Sequence, residues 1–308
     1  LGAVPMHLWL PLAHAAAPAP ASAVLSGAML KAGLFGLITV LPLGQIALPE
    51  VAVAFAAMAL AGLILAPVLG LVQQDPKAVL AYSSIGQMSL ILLGLAAALA
   101  APGAWVLIAP ALVILATHHA FAKAALFLGV PAVWSVDRGA VRTAVLVLMA
   151  LPALALAGMP GTSGWLAKAE LKTALESASV GWAIWLGTAL FVASLGTTLL
   201  MLRALFLLAG AAHKPETARD VALPWLAMTA LVIFGLGVAN ISPDVAKAAS
   251  LADLLPIATA GVLAGLGGLI FHYAGLRMEP AAPGELLGMV RSVSQPEPAS
   301  KLLPTKRA

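Results

Sequence analysis

Long apolar runs dominate this sequence and limit the folds that are open to it. A helix needs about 20 apolar residues to cross roughly 30 Å of hydrocarbon. Runs of this kind lie near 20–41, 50–72, 77–99, 104–131, 141–177, 181–209, 221–241 and 254–276. They are longer and more uniform than the alternating strands of a membrane barrel. The sequence therefore predicts an all-α, polytopic transmembrane helix bundle of about eight spans.

Composition agrees with this interpretation. Of the 308 residues, 62% are hydrophobic and 9% are charged, whereas a soluble domain carries about 25% charged residues. So few charges cannot cover a water-facing surface, which excludes a soluble enzyme, a nucleic-acid binder and a disordered linker. The chain has no cysteine, so no disulfide frame, thiolate-held iron–sulfur cluster or catalytic thiol is expected. We predict no metal site, no cofactor and no catalytic residue on this chain.

The run 141–177 is too long for one span and carries small residues and a proline at its middle. The segment Gly158-Met159-Pro160-Gly161-Thr162-Ser163-Gly164 is expected to break the helix inside the bilayer. Such a break is tolerated only where the freed backbone groups line protein or water, and transporters build ion sites from broken helices. A simple proline kink is the alternative. The predicted break residues are Gly158, Pro160, Gly161 and Gly164.

The loops differ in positive charge from one side of the predicted bundle to the other. With eight crossings, one side collects Lys77, Arg138, Arg142, Lys214, Arg219, Arg277, Arg291, Lys301, Lys306 and Arg307, and the other side has Lys247. Because cytoplasmic loops carry the excess of Lys and Arg, the side with Lys77 and the C-terminus is expected to be cytoplasmic. We predict a membrane domain over 1–276 and a disordered cytoplasmic tail over 277–308. The lipid bilayer is then a partner, most simply a bacterial inner membrane.

Several ionisable residues fall inside the predicted spans, where charge is costly and marks function by default. The candidates for a proton path are Lys31, His118, His119, Lys123, Lys168 and Glu170. Lysines near mid-depth, with a histidine relay, are what a proton or cation path requires. For any one of them, snorkelling or a bond to a neighbouring carbonyl is the alternative. His7 and His14, near helix ends or in loops, are interpreted as structural or solvated.

Four stretches together resemble one family. Residues 2–36 read GAVPMHLWLPLAHAAAPAPASAVLSGAMLKAGLFG, and the others are PKAVLAYSSIGQM at 76–88, HHAFAKAALFLG at 118–129 and GMPGTSGWLAK at 158–168. They are similar to the antiporter-like subunits of respiratory complex I, of hydrogenase-4-type membrane hydrogenases and of Mrp sodium/proton antiporters. The resemblance implies that Lys31 links two half-channels and that His119 and Lys123 form part of a central hydrophilic axis. It also implies that an outward exit path begins at Lys168.

The chain departs from the family in two ways. Some members have a second histidine four residues before the one matched by His119, and here Leu115 stands there. His118 substitutes imperfectly, since it points about 100° away on the helix. Members have about fourteen helices, with an N-terminal repeat that carries the start of the input channel. The chain is therefore expected to be the C-terminal portion of a longer subunit, with the other half as one candidate partner.

The leading functional prediction is a proton-translocating membrane subunit of an NADH:quinone oxidoreductase-like or membrane-hydrogenase complex. No redox chemistry is expected on the chain itself, and its partners would be other membrane subunits and protons. The alternatives are an Mrp-type cation/proton antiporter or channel subunit that moves sodium, a haem- or quinone-bearing redox protein, and a truncated scaffold remnant without transport. Bis-histidine haem ligation would need histidines on facing helices, and only the 104–131 span has any near mid-depth.

Overall fold

The described structure is a bundle of α-helices. The computed structural model describes residues 2–178, 180–181, 185–212, 221–234 and 251–273, and within these ranges it contains no strand. The helices are α1 (Trp9–Ala16), α2 (Ala19–Val24), α3 (Leu30–Val40), α4 (Pro49–Leu71), α5 (Pro76–Ala100), α6 (Trp105–Trp134), α7 (Ala140–Ala157), α8 (Ser163–Ser177), α9 (Leu186–Gly210), α10 (Ala222–Phe234) and α11 (Leu255–Tyr273). A π-helical turn, Leu25–Met29, joins α2 to α3.

Helix ends fall where the sequence supplies capping groups. The Asp75 carboxylate accepts a hydrogen bond from the backbone N–H of Lys77 at 2.7 Å and caps α5, and Pro76 fits the first turn because it needs no N–H partner there. Thr162 caps α8 by accepting from the backbone N–H of Trp165 at 3.4 Å. Gly158 ends α7 in the left-handed region at φ 93°, which favours glycine.

Helix α5 is the centre of the bundle. It is buried over nearly its whole length, because α4, α6, α9 and α1 all pack against it. Glycines on α4 permit the closest of these approaches. A Cβ at Gly62 would lie 2.0 Å from the Ser89 side chain, and one at Gly70 would lie 2.8 Å from that of Tyr82. Small residues at such crossings are typical of helices packed in membranes.

The predicted all-α membrane bundle is confirmed. Six helical segments of the described part are long and apolar enough to span a bilayer: Ala19–Val40, Pro49–Leu71, Pro76–Ala100, Pro102–Trp134, Ala140–Ala157 and Gly187–Gly210. Shorter apolar helices, Ala222–Phe234 and Leu255–Leu269, lie within the other two predicted spans. The chain is thus an integral, multi-pass membrane protein. The predicted tail 277–308 and Lys247, the cation predicted for the non-cytoplasmic side, lie outside the described residues.

The predicted break within 141–177 is also present. Helix α7 ends at Ala157 and α8 begins at Ser163. Glycine makes the packing of the two halves possible, since a Cβ at Gly164 would lie 1.8 Å from the Ala155 carbonyl oxygen. No sequence pattern predicted the short helix α1, which precedes the first span. It packs against α5, and the Lys77 ammonium at the start of α5 donates to the Ala15 carbonyl oxygen of α1 at 2.8 Å.

Candidate functional site

Lys31 and His119 form the centre of the candidate site. Lys31 Nζ lies 2.5 Å from His119 Nδ1 and donates a hydrogen bond to the Ser26 carbonyl oxygen at 2.6 Å. Ser26 belongs to the π-helical turn, and its hydroxyl lies 2.7 Å from that of Ser84 on α5. Such turns occur frequently at functional sites. Here the turn brings α3, α5 and α6 together around one amine.

Lys123 lies one turn along α6 from His119. It is fully buried, and its ammonium group donates to the Leu80 carbonyl oxygen at 2.7 Å and to the Ser83 hydroxyl. All of its bonded partners in the described structure are neutral oxygens of α5. Burying a cation among neutral groups alone is costly. A side chain whose charged form is costly is suited to taking up and releasing a proton.

His118 points from α6 toward the break rather than toward Lys31. Its Nδ1 lies 2.9 Å from the Ser163 hydroxyl at the start of α8. Its Nε2 is buried with no hydrogen-bond partner among the described residues and would lie 2.7 Å from a Cβ at Gly164. The two adjacent histidines therefore connect different elements: His119 contacts the first span, and His118 contacts the broken helix.

Lys168 caps the C-terminal end of α7 at the break. Its ammonium donates to the carbonyl oxygens of Leu156 at 3.2 Å and Ala157 at 2.8 Å, and to the Ser194 hydroxyl at 3.0 Å. The last carbonyls of a helix have no partner within it and carry the negative end of its dipole. The break thus supplies a site for one positive charge inside the membrane, and Lys168 fills that site.

These side chains lie near one another inside the bundle, and we call them the buried row. In order it contains Lys168, His118, His119 with Lys31, and Lys123. Neighbouring members lie within electrostatic range: Lys168 and Lys31 both act on His118, and Lys31 and Lys123 both act on His119. Because these charges repel, protonation of one member favours release of a proton from its neighbour.

A cavity of about 320 Å³ opens at the Lys168 end of the row. Its lining includes Lys168, Ser194 and Asp253, and it extends to Glu176 near the end of α8 and Gly187 near the start of α9. The other end of α9 lies on the Lys77 side of the bundle, since Arg203 of α9 donates to the Gln73 carbonyl oxygen at 3.0 Å. The cavity therefore opens at the end of the bundle opposite Lys77.

Comparison with known proteins places this architecture in a family. The model of the NADH:quinone oxidoreductase/Mrp antiporter membrane family matches residues 1–196, more than half of the chain. The chain belongs to this family. Its predicted membership is confirmed, and all members of the buried row lie within the matched residues.

Similar proteins have names that indicate membership of larger complexes. The chain is 35% identical to hydrogenase-4 component B of Escherichia coli over 145 residues, which are 44% of this chain and 21% of that protein. It is 39% identical to NADH-quinone oxidoreductase subunit M of Rickettsia prowazekii over 93 residues, which are 30% of this chain and 19% of that protein. The chain thus spans about a fifth of the length of these relatives.

A solved structure shows the same fold over almost the whole chain. One chain of the Mrp complex from Dietzia sp. DQ12-45-1b aligns with 97% of this chain over 37% of its own length, with a TM-score of 0.68 and 22% identity. At that identity the likeness establishes the helix arrangement alone. A chain of that complex therefore shares the helix arrangement described here.

Glu170 lies on a different side of α8 from the lysine of the row. Lys168 and Glu170 are two positions apart on α8, so they point about 200° apart around the helix, and Glu170 is half-buried. The predicted break residues also differ in what surrounds them. Gly158 and Gly164 allow close contacts with Lys168 and His118, whereas Gly161, at φ 81°, serves the turn and has open space around it.

His14 is a buried residue that the sequence interpretation placed with structural or solvated histidines. The solvated interpretation is wrong, because the ring is fully buried and stacks on Phe127 with centroids 4.3 Å apart. Neither ring nitrogen has a hydrogen-bond partner within the described part of the chain. Lys123 and Lys77 both act electrostatically on this ring. A long-range stacking contact of this kind leaves no signal in the local sequence.

Proposed function

We propose that the chain is part of a proton-translocating membrane subunit of an NADH:quinone oxidoreductase-like or membrane-hydrogenase complex. The observation that carries this proposal is the contact between Lys31 and His119 inside a series of buried amines and imidazoles. Among the described residues, the hydrogen bonds of these groups include no carboxylate. Family membership and the named relatives support the same assignment.

The row gives each group a role in moving a proton. A protonated Lys31 can pass its proton along the 2.5 Å contact to His119 Nδ1, and the positive charge then repels protons held by His118 and Lys123. At the far end, the carbonyls of α7 hold the ammonium of Lys168 beside the 320 Å³ cavity. That cavity is the exit, and the Lys77 end of the bundle faces the supply of protons.

Orientation and partners follow from the same proposal. The end with Lys77, Arg138 and Arg142 faces the cytoplasm by the positive-inside rule, so the cavity beside Lys168 opens on the opposite side of a bacterial inner membrane. Residues 1–276 form the membrane domain, and the tail 277–308 is cytoplasmic. The partners are other membrane subunits, including the portion of the subunit that carries the N-terminal repeat.

An Mrp-type sodium/proton antiporter is the less favoured candidate. The relatives with 33–39% identity are named for hydrogenase, hydrogenlyase and NADH-quinone oxidoreductase complexes, whereas the Mrp likeness supports the fold. The row is also built from amines and imidazoles, and sodium prefers carboxylate and carbonyl oxygens. A scaffold without transport would not require a buried lysine to be held at the break.

The test is proton flux in membrane vesicles that contain the complete complex, followed with a pH-sensitive dye during its redox reaction. Lys123→Ala and Lys168→Ala should each lower the flux by about tenfold or more, since a positioned proton-transfer group contributes roughly 10²–10⁴-fold in enzymes. Arg203→Ala is the matched control. It removes a cation from α9 that bonds Gln73 and does not touch the row.

Three results would decide between the candidates. Unchanged flux in both lysine variants, with the subunit present in normal amount, would overturn the proposal in favour of a scaffold. Uptake of radioactive sodium that depends on Lys123 and Lys168 would favour the antiporter. Loss of proton flux in these two variants, with Arg203→Ala active and sodium uptake absent, supports proton translocation.

A further inference from the structure

A second series of polar side chains runs between Lys123 and Lys168 on helices that the buried row does not use. It lies on α5 and α9 and consists of Ser83, Gln87, Thr197 and Ser194. Ser83 accepts a hydrogen bond from Lys123, and Ser194 accepts one from Lys168 at 3.0 Å. The series therefore begins at one end of the buried row and finishes at the other.

The middle of the series is a bond between the two helices. Gln87 Nε2 donates to the Thr197 hydroxyl at 2.9 Å, and that hydroxyl donates to the Ala193 carbonyl oxygen at 2.7 Å. Ser83 and Gln87 are four residues apart on α5, and Ser194 and Thr197 are three apart on α9. Residues at these spacings share a helix face about 5–6 Å apart, a distance that one water molecule bridges.

The Gln87 amide has an unused acceptor at the centre of this series. The side chain is 1% exposed, and its Oε1 has no hydrogen-bond partner among the residues described. A buried polar atom of this kind is costly unless bound water satisfies it. Two hydroxyl groups flank the amide along the series, Thr197 bonded to its Nε2 and Ser83 one turn away on α5, and their oxygens are further acceptors for such a water.

We propose that Gln87 and Thr197 position a chain of bound water that connects Lys123 to Lys168 directly, in parallel with the route through His118. The inference rests on the proposed function and adds a second route to it. Gln87 is a positioning residue: its amide does not exchange charge with the lysines, and it orients the water that does. Protons reaching Lys123 can then arrive at Lys168 without crossing the histidine pair.

The experiment compares single and double variants in the complete complex, with proton flux per amount of subunit as the measurement. Gln87→Leu should leave about half of the wild-type flux, because one of two parallel routes is lost, and so should His118→Phe. The double variant should lose far more than either single change. Single and double variants together form a double-mutant cycle, which measures the coupling between the two sites.

The control variants separate water positioning from packing. Gln87→His keeps a polar group that binds water, so its flux should be close to that of the wild type. If glutamine were needed only for packing, this variant would lose as much flux as Gln87→Leu. Ser89→Ala, which removes a hydroxyl of α5 that donates to the Ile85 carbonyl oxygen within the same helix, should leave the flux at the wild-type level. The thermal midpoint of each variant in detergent verifies that the bundle is intact.

The outcomes distinguish this inference from the proposed function. If Lys123→Ala and Lys168→Ala abolish flux but Gln87→Leu does not change it, proton translocation stands and the second route is wrong. If the double variant is no slower than His118→Phe alone, both residues serve one route and the parallel connection is wrong. If neither lysine variant changes flux, the proposed function itself fails.

Discussion

Lys31 Nζ lies 2.5 Å from His119 Nδ1, although 88 residues separate them in the chain. The contact joins the first span to α6. It is made at a π-helical turn whose Ser26 carbonyl oxygen also accepts a hydrogen bond from the lysine. A lysine that merely snorkelled toward the membrane surface would point its amine away from such partners. This contact is why the row is interpreted as a path rather than as scattered charges.

Substitutions at Lys31 should separate charge from proton release. Lys31→Arg keeps a donor near His119 but cannot give up its proton, so we expect proton flux to be lost while the subunit remains folded. Lys31→His should retain part of the flux, because imidazole exchanges protons near neutral pH. Flux in vesicles is the measurement, and Lys172→Arg, at a side chain that is 56% exposed, is the control. Equal flux in Lys31→Arg and wild type would contradict this role.

Gly158→Ala should damage both the fold and the path. The residue has φ 93°, and an added Cβ would lie 3.1 Å from Lys168 Nζ. The left-handed backbone costs a non-glycine residue about 1–3 kcal/mol, and the crowded ammonium must shift from the α7 carbonyls. We expect a lower thermal midpoint together with lower flux. Gly265→Ala on α11, where the structure has nothing within 4 Å, should leave both unchanged; a similar loss there would refute the local explanation.

Gly164→Ala should be the more severe glycine variant. The new Cβ would lie 1.8 Å from the Ala155 carbonyl oxygen, and backbone atoms cannot move aside as a flexible side chain can. Overpacking usually costs about 1–3 kcal/mol, and this contact lies at the severe end because the two half-helices must separate. The amount of subunit in the membrane should fall below that of Gly158→Ala. Gly261→Ala on α11, which has open space, is the control, and normal accumulation of Gly164→Ala would contradict the packing.

His14→Phe should stabilise the bundle. The ring is fully buried and stacks on Phe127, and its two nitrogens have no partner within the described ranges. Leaving such a group unsatisfied costs about 1–3 kcal/mol, and phenylalanine keeps the stack without that cost. The thermal midpoint in detergent should rise. His14→Ala, which removes the stacked ring, should lower it, and a fall in both variants would show that the nitrogens are satisfied by bound water.

Much of the site was predictable because membrane burial penalises charge so strongly. Lys31, His118, His119, Lys123 and Lys168 could be named from the sequence, since an ionisable group within an apolar run needs a partner or a function. The break at Gly158–Gly164 could be named for a similar reason, because small residues and a proline interrupt an overlong span. Glu170 was named by the same rule, and the roles of all six remain predictions until flux is measured.

The partners of these residues could not be predicted from the sequence. Local spacing placed His118 and His119 on one helix but did not show that one faces Ser163 and the other Lys31. The short helix α1 and the burial of His14 were missed because eight residues are too few to carry a span-length apolar signal. The Gln87–Thr197 bond joins positions 110 residues apart, and nothing in either segment indicates the other.

From the sequence it follows that this chain lies in a membrane, roughly where it crosses, and which residues are costly to bury there. Those properties depend on the transfer of each segment from water to lipid, which is a local sum over neighbouring residues. The tertiary structure alone decided which carbonyls hold Lys168, which ring meets Lys31 and which hydroxyls meet Gln87. Such contacts depend on how helices cross and rotate against α5, and side-chain packing between distant segments sets that geometry.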